Sequence, residues 1–189
     1  MLNLWKNKAA EEKRLKTVVS PSRIRLQKDQ SELVPDTTVT VEFPNVSDIT
    51  KFHVVYRPPG GMYHGGQFRF SFEVSDNYPH SPPKVLCVQK IYHPNIDTAG
   101  HVCLNILRED WKPVLNIQSI IFGLQMLFMD PNPEDPLNKD AAQNMIHDLA
   151  GFKQNVSTSM RGGNVKGAAY ECVLIPPPPP PPASKGPRC

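Results

Sequence analysis

No stretch of this chain approaches the ~20 consecutive apolar residues that a membrane-crossing helix needs, so nothing in it reads as a transmembrane span. The amino end has no apolar leader either: Lys6, Lys8, Lys13, Arg14 and Lys16 alternate with Glu11 and Glu12. The expectation is a soluble intracellular protein. Paired cysteines are also missing. Cys87, Cys103, Cys172 and Cys189 form no CxxC pair and no short repeated spacing, which argues against a disulfide framework and a zinc site. Charge of one sign is scarce too. The net charge is +3, with five basic and two acidic side chains in residues 6–16. That describes a basic arm, not the basic stripe with interleaved aromatics that would suggest nucleic-acid binding.

What is present suits one domain with tails. A chain of 189 residues with 39% hydrophobic residues can bury one good core and is short for two ordinary domains. Ser20-Pro21 reads as a helix start, with a hydroxyl acceptor followed by a proline in the first turn. Residues 21–33 are the predicted first helix, its inner stripe made of Leu26, Gln30 and Leu33. Four strand-like segments follow: Val39, Val41, Phe43; Phe52, Val54, Tyr56; Phe68, Phe70, Phe72, Val74; and Val85 to Val88. Pro58-Pro59-Gly60-Gly61 and the Pro79 to Pro83 stretch supply turn chemistry between them. An antiparallel meander with one apolar face results, and that face needs a helix to cover it. Ile117, Ile120, Ile121, Leu124, Leu127 and Phe128 recur at helical spacing behind Asn116, a suitable N-cap. Two more helical segments are expected near 138–148 and 152–161, the second ended by Gly162-Gly163. The fold class is therefore α+β: a four-stranded antiparallel meander sheet packed against a central helix, with one N-terminal and two C-terminal helices.

Between Tyr92 and Leu115 no period is sustained, and irregular chain of that length inside a compact domain is usually functional. Cys103 lies there among polar neighbours. An exposed cysteine makes a good acyl carrier because exchange between thiol and thioester is nearly balanced in energy and mainly requires positioning. A lone cysteine is more often a small buried hydrophobe, and Cys87, inside a strand pattern, takes that reading. His93, His101 and Cys103 lack a fourth ligand and the short pairs of a zinc site. No metal or cofactor is expected.

Four separated motifs distinguish Cys103. They are His93-Pro94-Asn95 with Ile96, Asp97, Gly100 and Cys103-Leu104; Ile106-Leu107 with Trp111; Tyr78-Pro79-His80-Ser81-Pro82-Pro83; and Pro131-Asn132-Pro133-Glu134-Asp135-Pro136-Leu137. In their order along the chain they resemble the ubiquitin-conjugating enzyme family over roughly residues 22–172. The resemblance implies the ubiquitin-conjugating fold. It also implies an enzyme that carries the C-terminus of a modifier as a thioester on Cys103 and passes it to a lysine. Asn95 then matches the asparagine proposed to stabilise the oxyanion, although an amide there can equally brace the loop. Asp135 matches the acidic residue that orients the incoming lysine, or it is a turn residue. His93 and Pro94 are structural members of the motif. Energy would enter upstream, through an activating enzyme that uses ATP.

Met1, Leu2, Leu4 and Trp5 form an apolar cluster ahead of a charged segment, suited to docking in a groove or simply a free tail. This arm and the runs Ile106 to Leu115, Asn132 to Asn138 and Met160 to Gly163 resemble the conjugating enzymes of neddylation. The resemblance implies a heterodimeric activating enzyme and a co-ligase as partners of the arm. It further implies cullins as substrates and a cytoplasmic and nuclear location. By the same resemblance His80, Pro113 and Val114 sit where the family meets RING ligases. A ubiquitin-charged enzyme is the alternative, and a catalytically inert modifier-binding variant is a third reading opposed by the presence of Cys103, Asn95 and Asp135. The expected organisation is a flexible docking arm (1–21), the conjugating core (22–174) and a proline-rich disordered tail (175–189). The run Pro176 to Pro182 in that tail favours polyproline II and either binds a partner or does nothing.

Overall fold

A computed structural model of the chain describes residues 20–175. The docking-arm residues Met1, Leu2, Leu4 and Trp5 and the proline run 176–182 lie outside the described residues.

Helix α1 (Pro21–Ser31) leads into a sheet of β1 (Val39–Glu42), β2 (Lys51–Tyr56), β3 (Phe68–Glu73) and β4 (Lys84–Cys87), paired antiparallel in chain order. The alternation in β3 sets the register: Phe68 pairs with Tyr56, Phe70 with Val54 and Phe72 with Phe52, all buried on one face. The opposite face carries ion pairs, Lys51–Glu73 at 2.9 Å and Arg69–Glu42 at 3.0 Å, as expected of a sheet with one polar side. Helix α2 (Ile117–Met129) covers the apolar face with the six residues its periodicity picks out. Phe128 sits at the centre, its ring 4.6 Å from that of Phe68 and edge-on to Tyr56, Tyr63 and Phe70. The start of α2 is a capping box: Asn116 accepts from the Ser119 amide at 2.9 Å and Ser119 Oγ accepts from the Asn116 amide.

Helices α3 (Lys139–His147) and α4 (Leu149–Met160) pack beyond α2, and a short hairpin of β5 (Asn164–Val165) and β6 (Ala168–Ala169) follows. Several boundaries differ from the sequence reading. α1 stops at Ser31, and Leu33 packs beside the core from the loop beyond it. Its inner positions are Leu26 with the polar Ser22 and Asp29, while Gln30 is half-buried and donates to the Ile49 carbonyl at 3.1 Å. α4 starts three residues earlier than expected because Asp148 closes α3 and caps α4 at once, accepting from the Gly151 amide at 2.8 Å. β4 is Lys84–Cys87, with Val88 left exposed past its end. Gly162, at φ 80°, turns the chain out of α4. Among the described residues no helix is long and apolar enough to cross a membrane.

Candidate active site

Residues 91–96 are buried although they form no regular strand, because side chains replace the missing ladder. His93 is the first such device. Its ring stacks on Tyr63 with centroids 5.1 Å apart, Nδ1 accepts from the Asn95 amide at 3.0 Å, and Nε2 donates to the Leu127 carbonyl at 3.1 Å. Complete burial drives its pKa down to about 3, so the ring stays neutral. A neutral ring with both nitrogens engaged braces the loop and has no free nitrogen for proton transfer. The Pro94 carbonyl accepts from the Asn138 amide at 2.9 Å, joining this loop to the start of α3.

Asn95 ties a third segment in. Its Oδ1 accepts from the Asn132 amide at 2.9 Å, and Nδ2 donates to the carbonyls of Asn132 (2.6 Å) and Asp135 (3.3 Å). Its own carbonyl accepts from the Cys103 amide at 2.8 Å. One side chain therefore clasps the 131–137 loop against the strand-like piece that bears Cys103. Gly100 sets the turn before that piece: it sits at φ 87° with its carbonyl on the Cys87 amide, and a Cβ there would lie 2.2 Å from the Cys87 carbonyl oxygen.

The result is a contact between residues 32 positions apart. The Cys103 thiol donates to Asp135 Oδ2 at 3.3 Å. Burial pushes the thiol pKa up, the hydrogen bond to Asp135 and that carboxylate's charge push it further, and only Arg108 pulls it down. Cys103 rests as a thiol hydrogen-bonded to a carboxylate that holds it protonated. Cys87 differs: it is enclosed in the core, burial pushes it to about 12, and its Sγ–H is spent on the Gln89 carbonyl, so it is a packing residue.

Of the sequence-predicted site residues, Cys103, Asn95, Asp135, His93 and Pro94 come together around the thiol. His80, Pro113 and Val114 are exposed and belong to a separate surface, joined by the Trp111 indole, which donates to the Pro79 carbonyl at 2.8 Å. Three features near Cys103 escape the sequence reading. Arg108 and Glu109 lie close enough for their charges to act on the thiol. Asn132 is the partner that Asn95 holds. An open groove of about 580 Å³ runs from Leu104 over Ile106 to Phe122 and Gly123. Its sequence signal is Phe122, a large apolar residue off the inner stripe of α2 that is 59% exposed.

The sequence pattern of "Ubiquitin-conjugating enzyme" matches residues 25–160. The chain belongs to the ubiquitin-conjugating enzyme family, and its fold is the ubiquitin-conjugating fold. It is a transferase that works through a thioester. The NEDD8-conjugating enzyme UBC12 of Yarrowia lipolytica is 53% identical over 178 residues, spanning 93% of this chain and 99% of that protein. The corresponding Schizosaccharomyces pombe enzyme is 48% identical over 92% of this chain and 99% of its own length. The solved structure of Saccharomyces cerevisiae Ubc12 superposes with a TM-score of 0.81 at 42% identity, covering 92% of this chain and 98% of that one.

Proposed function

We propose that the chain takes an activated NEDD8-type modifier onto Cys103 from a heterodimeric, ATP-using activating enzyme and transfers it to a lysine, with cullins as substrates and a RING ligase and co-ligase assisting. The observation that carries the chemistry is the Cys103 thiol seated on Asp135 in a bed built by Asn95. Identity near half to NEDD8-conjugating enzymes along nearly the whole chain supports the choice of modifier.

In the loading step the Cys103 sulfur releases its proton to solvent and attacks the incoming thioester carbonyl as a thiolate. The new S–C bond replaces the old one, and the activating enzyme's sulfur leaves and recovers a proton. Because one thioester replaces another, the step calls for alignment more than driving force, and neither metal nor nucleotide takes part on this chain. EDTA should leave discharge of the purified thioester unchanged. In the transfer step Asp135 orients the lysine ammonium and accepts its proton, and the amine attacks the carbonyl and expels the Cys103 thiolate. Both N–H groups of the Asn95 amide rest on backbone carbonyls, which favours the bracing role: Asn95 holds Asp135 against the sulfur. The groove beside Leu104 offers an apolar bed for the modifier next to the reacting atom. The exposed His80, Pro113 and Val114 suit a modest apolar ligase contact. Cytoplasm and nucleus are where such substrates would be met.

Incubation with each activating enzyme and its own modifier, read as an adduct removed by reductant, tests this reading. A NEDD8 adduct is expected; an adduct with ubiquitin alone would replace the modifier assignment, and no adduct with any modifier would leave an inert binding variant.

A further inference from the structure

The carboxylate of Asp29 has no part in the chemistry at Cys103, yet it is the one buried acid among the described residues. Its side chain is 3% exposed. Oδ1 accepts from Arg25 Nε at 2.8 Å, one turn earlier on α1, and Oδ2 accepts from the Tyr78 hydroxyl. The Arg25 guanidinium then reaches the other way: Nη1 donates to the Pro113 carbonyl and Nη2 to the Leu115 carbonyl, each at 2.9 Å. Its plane lies 5.8 Å from the Tyr78 ring centroid. Arginine suits this position because its planar fork serves a carboxylate and two carbonyls at once, whereas an ammonium is a single point of charge.

The geography is the informative part. Tyr78 opens the loop that carries His80, and Pro113 belongs to the loop that carries Val114, 80% exposed. Trp111 bonds Pro79 across the gap between the two loops. Neither loop has a ladder of its own; both are fixed through side chains that converge on Asp29. A buried ion pair of this kind contributes little net stability against an apolar substitute, and its best-attested use is to specify one arrangement.

We propose that Asp29, Arg25 and Tyr78 form a positioning unit that locks the 78–83 and 112–115 loops into a single surface with α1, preorganised for the ligase. The proposal rests on the ligase reading of His80, Pro113 and Val114. None of the three residues touches the sulfur or its carboxylate, so their effect should fall on ligase recognition and not on the transfer of the modifier itself.

The test uses the full chain as Arg25→Lys, which keeps the charge and loses the fork, and Tyr78→Phe, which keeps the ring and loses one hydrogen bond. Each is loaded to completion, and discharge to free lysine is followed without ligase and across a titration of a RING ligase, alongside amide exchange of the two loops. Loss of the unit is expected to raise the half-saturating ligase concentration of both variants about five- to tenfold. Discharge without ligase should stay within about twofold of the parent, and exchange should rise in both loops. An unchanged half-saturating concentration overturns the proposal, as does a ligase-independent rate that falls in step with the ligase-dependent one. If the parent itself ignores the ligase, the ligase reading fails, and exchange still decides the unit: unaltered loops overturn it, while loosened loops keep its locking role. Should Arg25→Lys fail to fold, Tyr78→Phe carries the same comparison.

Discussion

The Asp135 carboxylate opposes ionisation of the Cys103 thiol, and this sets how the sulfur responds to pH. A thiol held above its ordinary pKa is mostly protonated at neutrality, so loading should accelerate as pH rises from 7 toward 9. Asp135→Ala removes two of the four influences that raise the thiol, leaving burial and the Glu109 charge. Alkylation of Cys103 at pH 7.5 should therefore quicken about three- to tenfold, while discharge to lysine slows by about 100-fold. Alkylation that slows in the variant would show that the carboxylate helps to ionise the sulfur. His93 makes a second prediction of opposite sign. Its folded pKa of about 3 lies below the ordinary value, so the folded chain stays neutral where the unfolded chain takes up a proton. The stability from this difference is complete above about pH 6.5 and drains as pH falls toward 3, at a slope of up to about 1.4 kcal/mol per pH unit. Urea midpoints between pH 7 and 5 measure it, and His93→Gln should flatten the upper part of the dependence.

Among the elements, those that bury apolar side chains are the ones that the sequence announces. Phe68, Phe70 and Phe72 carry their register openly, and the six inward residues of α2 with Asn116 mark that helix to within a residue. α1 is less legible because its contacts are polar: Arg25 and Asp29 stand one turn apart with nothing in their residue types to signal burial, yet the acid is buried. The true start of α4 is hidden by Gly151, which breaks the helical pattern but admits the Asp148 cap; a Cβ there would lie 2.0 Å from Asp148 Oδ2. Asp148→Ala should cost about 1 kcal/mol, seen as a lower urea midpoint with loading unchanged. The β5–β6 hairpin has strands of two residues, too short for a period to register. At the site, the motifs that resemble the family single out Cys103, Asn95 and Asp135, and the structure brings the three together. The link it cannot give is the double clasp of Asn95 on the 131–137 loop, which exists only once distant segments meet.

For the whole molecule, one core supports two surfaces: the sulfur with its carboxylate, and the pair of loops gathered by Asp29. The carboxyl-terminal edge of the core runs through Val173, buried and bonded to Gln67 and Met160, to Ile175, whose amide donates to Gly65. Truncation after Ile175 should leave loading unchanged, whereas truncation before Val173 should lower the melting temperature by several degrees. Removing residues 1–19 should slow loading by the cognate activating enzyme and leave discharge of the preformed thioester intact; equal loss of both would remove the docking role of Met1, Leu2, Leu4 and Trp5. Cys103→Ser decides whether Cys103 carries a NEDD8-type modifier. Incubated with the NEDD8 activating enzyme, ATP and NEDD8, the serine variant should accumulate an oxyester that survives reductant and yields to hydroxide, where the parent gives an adduct that reductant removes. A serine variant that still forms a reductant-sensitive adduct would instead place the carrier on another cysteine.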